Sequence, residues 1–115
     1  MHRPAALLEG AQDVATELEA ARWLTYRAAS LRDAGQPFLK EASMAKLKAT
    51  EVAKKTALEG MQMMGGYGYA LEYDIERYVR LALVGTIFAG TSEIHRGLVA
   101  RATLKKGAAL FDIGA

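Results

Sequence analysis

Three glycine-bearing interruptions divide this chain into four stretches of helical character, and that division constrains the fold more than any other feature. They are Gly35-Gln-Pro37, Gly65-Gly-Tyr-Gly68 and Ala89-Gly-Thr-Ser92. Between them apolar residues recur at steps of three and four, the period of one buried helical face. The first stretch, from about residue 7 to 34, carries Leu7, Leu8, Ala11, Val14, Leu18, Ala21, Leu24, Ala28 and Leu31 as one buried stripe. Gly35 suits a C-cap, and Pro37 prevents continuation. The second stretch, 39 to 64, aligns Ala45, Ala49, Val52, Ala53, Thr56 and Met61, small residues that let a neighbouring helix approach closely. The third, 73 to 88, spaces Ile75, Tyr78, Val79, Ala82, Leu83, Thr86 and Ile87 helically, although Gly85 costs its last turn about 1 kcal/mol. Thr91 is an N-cap for the last stretch, Glu93 lies where the dipole favours a carboxylate, and Gly107 can end it. No stretch has the alternation of a strand. The pattern predicts an all-α, up-and-down four-helix bundle, one domain over residues 1–115.

Charge and composition exclude several functions. The net charge of +2 comes from dispersed basic residues, not from one face, so no nucleic-acid partner is expected. There are no cysteines, hence no disulfides and no thiolate metal site. The two histidines, His2 and His95, lack the carboxylate or histidine spacing of a metal site, and no metal is expected. No apolar run approaches the roughly 20 residues of a membrane span. Glu9 interrupts the apolar start before a signal-peptide core forms. A cytoplasmic protein without membrane attachment is the expectation.

Two clusters carry candidate chemistry. Gly65-Gly66-Tyr67-Gly68-Tyr69 reads either as a loop whose bare backbone approaches a nucleotide or as a helix-ending turn with two tyrosines packed on the bundle. Without a preceding strand, physics alone favours the plain turn. Ala89-Gly90-Thr91-Ser92-Glu93 places hydroxyls and backbone donors at a helix N-terminus, which attracts polarised oxygens; capping by Thr91 is the simpler reading. Glu76 and Arg80 form an i,i+4 pair worth about 0.3–0.5 kcal/mol. His95 reads as a surface or interface residue.

Five segments in order resemble the C-terminal domain of the acyl-CoA dehydrogenase family. They are Gln12-Asp-Val-Ala-Thr-Glu-Leu-Glu-Ala-Ala-Arg22, Lys40-Glu-Ala-Ser-Met-Ala-Lys46, Gln62-Met-Met-Gly-Gly-Tyr-Gly-Tyr69, Glu76-Arg-Tyr-Val-Arg80 and Gly90-Thr-Ser-Glu-Ile-His-Arg96. The resemblance implies FAD as cofactor and α,β-dehydrogenation of acyl-CoA thioesters as the parent reaction. It implies that Gln62, Gly65 and Gly66 face an FAD bound mainly by a partner subunit. Thr91 and Glu93 would touch FAD, and Gly90 would lie against the thioester. It further implies a homo-oligomer, or association with a flavin-containing partner chain.

The departures bear on catalysis. Ala89 stands where most of the family has its glutamate base, and a methyl group accepts no proton. Leu81 stands where an aspartate is expected, and the Arg-x-x-Phe-Gly segment that grips the FAD pyrophosphate is missing. Relative to the family the chain is expected to be truncated on its N-terminal side. The chain alone is therefore predicted to be inactive, with no catalytic residue of its own. The alternative is a non-catalytic oligomerisation module or the accessory subunit of a heteromeric flavoenzyme.

Overall fold

The computed structural model describes the backbone of residues 3–111 and the side chains of residues 9–105; the expectations for His2, Leu7 and Leu8 concern side chains outside that range. The chain is all-helical, with α1 over Arg3–Asp33, α2 over Leu39–Met64, α3 over Gly66–Tyr69, α4 over Ile75–Gly85 and α5 over Ser92–Phe111. The four long helices are those the apolar period predicts. Several boundaries move, α1 beginning at Arg3 rather than near residue 7 and α4 at Ile75 rather than Tyr73. The glycine cluster after Met64 contains the single turn α3 in place of a plain helix end. α4 is shorter than expected, because Thr86, Ile87 and Phe88 leave the helix to form a turn. α5 continues past Gly107 to Phe111, so that glycine, like Gly97 before it, is tolerated in the helix interior.

α2 is the hub. α1, α4 and α5 each pack on it and, among the described residues, not on one another. Small residues make these approaches close: Ser43, 2% exposed, is the most buried side chain among the described residues, with Ala45, Val52 and Ala57 also buried on α2. Ala21 and Ala28 of α1 and Val79 of α4 complete the inner contacts. Two ion pairs join α1 to α2, from Lys48 (4.0 Å) and Lys55 (3.3 Å) to Glu17. They are exposed and contribute little. The Glu76–Arg80 pair forms as expected, with contacts of 2.9 and 3.1 Å.

The stripe on α1 is only partly buried. Ala21 and Ala28 face α2, but Leu18 remains 50% exposed. The reason is an open apolar groove of about 550 Å³ bounded by α1, α2 and α4, with Leu18, Ala49, Ala53, Tyr78 and Leu81 among its lining residues. Thr56 also lines it, and its hydroxyl is buried without a partner. Thr16, Thr25 and Thr50 instead donate to the carbonyl four residues back. The molecule measures 63 × 30 × 25 Å. Among the described residues no helix is long and apolar enough to cross a membrane.

Candidate functional site

The turn between α4 and α5 is built from the inside outward. Phe88 N–H donates to Val84 O (3.0 Å), and the chain then reverses through two left-handed residues, Ala89 (φ +54°) and Gly90 (φ +94°). Such a conformation strains a residue with a Cβ by about 1–2 kcal/mol, so something must hold Ala89 there. Three side chains do so. Lys46 Nζ on α2 donates to Gly85 O (2.9 Å) and Gly90 O (2.7 Å), with the Phe88 ring centroid 5.6 Å away. His95 Nε2 on α5 lies 3.2 Å from Ala89 O. Buried Ser92 donates to Glu51 Oε1 (3.1 Å), which also accepts from Arg96 Nη2 (3.4 Å). Ser92 N–H closes the turn onto Thr86 O (3.1 Å), and Thr91 Oγ1 caps α5 by accepting from Ile94 N–H (3.3 Å).

This arrangement gives the turn a polarity. Its two carbonyls, Ala89 O and Gly90 O, are engaged by His95 and Lys46. The N–H groups of Ala89, Gly90 and Thr91 find no acceptor among the described residues. Successive free N–H groups around left-handed residues form a concavity suited to an anionic or polarised oxygen. A carbonyl can only accept, so in the neutral ring the proton of His95 sits on Nε2; Nδ1 is buried and unpartnered.

The second cluster lies elsewhere. Gly65 (φ +61°) donates its N–H to Gln62 O (3.2 Å) and ends α2. α3 then folds back so that Gly68 is buried against the last turns of α2. Gln62, Gly65 and Gly66 are exposed. The tyrosines do not pack on the bundle: Tyr67 and Tyr69 are exposed, and Tyr67 meets Tyr73 edge-on at 5.7 Å. Gly90 and Ser92 contact α2 at Lys46 and Glu51, whereas Gln62 lies sixteen and eleven positions further along that helix. At 1.5 Å per residue the two clusters are roughly 16–24 Å apart along α2.

The structure thus groups Gly90, Thr91 and the exposed Glu93, and keeps Gln62, Gly65 and Gly66 apart from them. Spacing alone assigns no role to Lys46, Glu51 or the half-buried His95, and it offers Ser92 only as one of the hydroxyls at the helix N-terminus. Lys46 and His95 did carry a signal, since both, like Ser92, stand inside the motif segments. Their partners, backbone carbonyls about forty positions away or beyond a turn, leave no trace in spacing.

A family of helical domains with this order of elements and motifs is known. Residues 5–104 match the family described as acyl-CoA dehydrogenase, C-terminal domain. The chain is 53% identical over 88 residues to the short/branched chain specific acyl-CoA dehydrogenase, mitochondrial, of Rattus norvegicus, covering 76% of this chain and 20% of that protein. It is 45% identical over 108 residues to the acryloyl-CoA reductase (NADH) of Anaerotignum propionicum, covering 90% of this chain and 27% of that protein. The butyryl-CoA dehydrogenase structure of Megasphaera elsdenii superposes with a TM-score of 0.78 at 39% identity, covering 81% of this chain and 24% of that one. The chain belongs to the acyl-CoA dehydrogenase family, whose members are FAD enzymes, and it matches that family's C-terminal domain. It spans between a fifth and about a quarter of the length of these relatives.

Proposed function

We propose that this chain, as one domain over residues 1–115, is the cofactor-facing helical part of an FAD-dependent acyl-CoA dehydrogenase acting by α,β-dehydrogenation. The observation that carries this reading is the 89–91 turn, with its carbonyls engaged and three consecutive N–H groups without acceptors among the described residues. That donor set fits the oxygens of a flavin cofactor or of a thioester carbonyl. Thr91 and Glu93 would hold FAD on this side, and Gly90 would lie beside the thioester. Gln62, Gly65 and Gly66 would face the FAD of a second copy, which accords with their separation along α2. When bound, FAD supplies the acceptor for a hydride leaving the substrate Cβ. The Cα proton must go to a base outside position 89, because the Ala89 methyl accepts none.

Two measurements test this. Titrating FAD into the chain is expected to change flavin fluorescence saturably, with Gln62→Ala and Thr91→Ala each weakening binding about fivefold, the loss of roughly one hydrogen bond. A linear, non-saturating response would remove the cofactor-facing assignment. The same protein with FAD, an artificial electron acceptor and acyl-CoAs of several lengths is expected to show no turnover above the buffer blank. Measurable oxidation would overturn the assignment of the base to residues outside this chain.

The open groove favours a second role, in assembly. Leu18, Tyr78 and Leu81 leave apolar surface uncovered, which a second copy or a flavin-containing partner chain would bury. Light scattering after size exclusion is expected to give a mass above the 12.4 kDa monomer, and Leu81→Glu to lower it. A strict monomer in both proteins would contradict assembly through this groove. The cytoplasm is the proposed compartment, supported by a cysteine-free composition that suits a reducing environment.

A further inference from the structure

We infer that Lys46 is a positioning residue, whose ammonium sets the conformation of the Ala89–Thr91 turn and thereby keeps its N–H groups available to a ligand oxygen. The inference deepens the functional reading above and rests on it for the identity of the ligand, a flavin or thioester oxygen. Three observations converge on Lys46. Its Nζ reaches two carbonyls from opposite ends of the turn, Gly85 O at 2.9 Å and Gly90 O at 2.7 Å. Hydrogen bonds from a charged donor at these lengths are roughly twice as strong as neutral ones. The Phe88 ring, itself in the turn, stands 5.6 Å from the same ammonium. Among the described carboxylates, none is ion-paired with Lys46, whereas Lys48 and Lys55 on the same helix are paired with Glu17. The ammonium is thus committed to backbone oxygens.

The consequence follows from peptide geometry. A carbonyl and the next residue's N–H belong to one rigid plane and point in opposite directions. Fixing Gly90 O toward α2 therefore fixes the Thr91 N–H away from it. His95 acts on the preceding plane in the same way, through Ala89 O at 3.2 Å and the Gly90 N–H. Gly90 also lies so close over the imidazole that a Cβ there would stand 2.7 Å from Nε2. Lys46 works from outside the turn's own helix and registers its carbonyls against α2, while Glu51 on the same helix holds Ser92.

The test compares Lys46→Met and Lys46→Arg with the wild type, each as the full chain. In the wild type, 15N relaxation is expected to give Ala89–Thr91 order parameters near ~0.85, and Lys46→Met to lower them below ~0.6. The Ser92 amide, bonded to Thr86 O, should exchange about tenfold faster in Lys46→Met, while amides of Ala45–Ala57 change less than about twofold. Lys46→Arg, which keeps a charged multiple donor, should recover most of the order. Unchanged order in Lys46→Met, or an equal loss throughout α2, would overturn the inference. If Lys46→Met does not fold, the wild-type ammonium signals decide. Lys46 Nζ protons should exchange with water more slowly than those of Lys48 and Lys55, and equal rates would overturn it. FAD affinity should fall about tenfold in Lys46→Met. A wild type that fails to bind FAD would remove the functional reading and leave the order-parameter result intact.

Discussion

Gly68→Ala is expected to destabilise the chain by about 2–3 kcal/mol, the upper range for forcing a group into a filled site. A Cβ on Gly68 would stand 2.7 Å from Met61 O, 3.0 Å from Met64 Cβ and 3.2 Å from Met61 Cα. Two of these atoms are backbone atoms of α2, so no side-chain rotation relieves the contact. α3 would have to lift away, carrying Gly65 and Gly66 with it and displacing the exposed face near Gln62. Thermal unfolding followed by circular dichroism should show a drop of roughly 10 °C or more. Gly66→Ala is the control, because nothing lies within 4 Å of a Cβ there. Equal melting temperatures for the two variants would show that α3 does not pack on α2 as described.

Gly90→Ala is the second large effect, for a different reason. At φ +94° an L-residue is strained by about 1–3 kcal/mol. The added methyl would also stand 2.7 Å from His95 Nε2. The imidazole can swing aside only by giving up Ala89 O, so the substitution loosens the carbonyl arrangement as well as straining the backbone. A fall of about 10 °C in melting temperature is expected, together with loss of saturable FAD binding. Gly97→Ala, in the interior of α5 with no atom within 4 Å of its Cβ, should instead raise stability by up to about 1 kcal/mol. A Gly90→Ala protein that melts with the wild type would mean that the turn is not held in its left-handed form.

The helices were readable because each repeats a local rule several times. Val14, Ala21 and Ala28 recur at seven-residue spacing, and Gly35 with Pro37 stops the run. The cap at Thr91 was readable for the same reason, since its partner is three residues away. The extent of α4 was not, because the helix ends at Gly85, whose carbonyl is taken by Lys46, thirty-nine positions earlier. Nor was the placement of Tyr67 and Tyr69: apolar rings predict burial, and both remain exposed. His95 looked like a surface residue because its role depends on a carbonyl across a turn rather than on another side chain.

The amino-acid order alone settled the helical class, the four long segments and the family motifs, since these depend on period, caps and residue type within one or two turns. It also settled that position 89 carries no proton acceptor. Only the tertiary structure decided that three helices pack on α2 and, among the described residues, not on one another, and that the two glycine clusters lie well apart along it. It alone brought Lys46 and Glu51 to the 85–92 turn. Those outcomes depend on close packing between small-residue faces and on charged donors meeting backbone carbonyls far away in the chain, interactions to which local periodicity is blind.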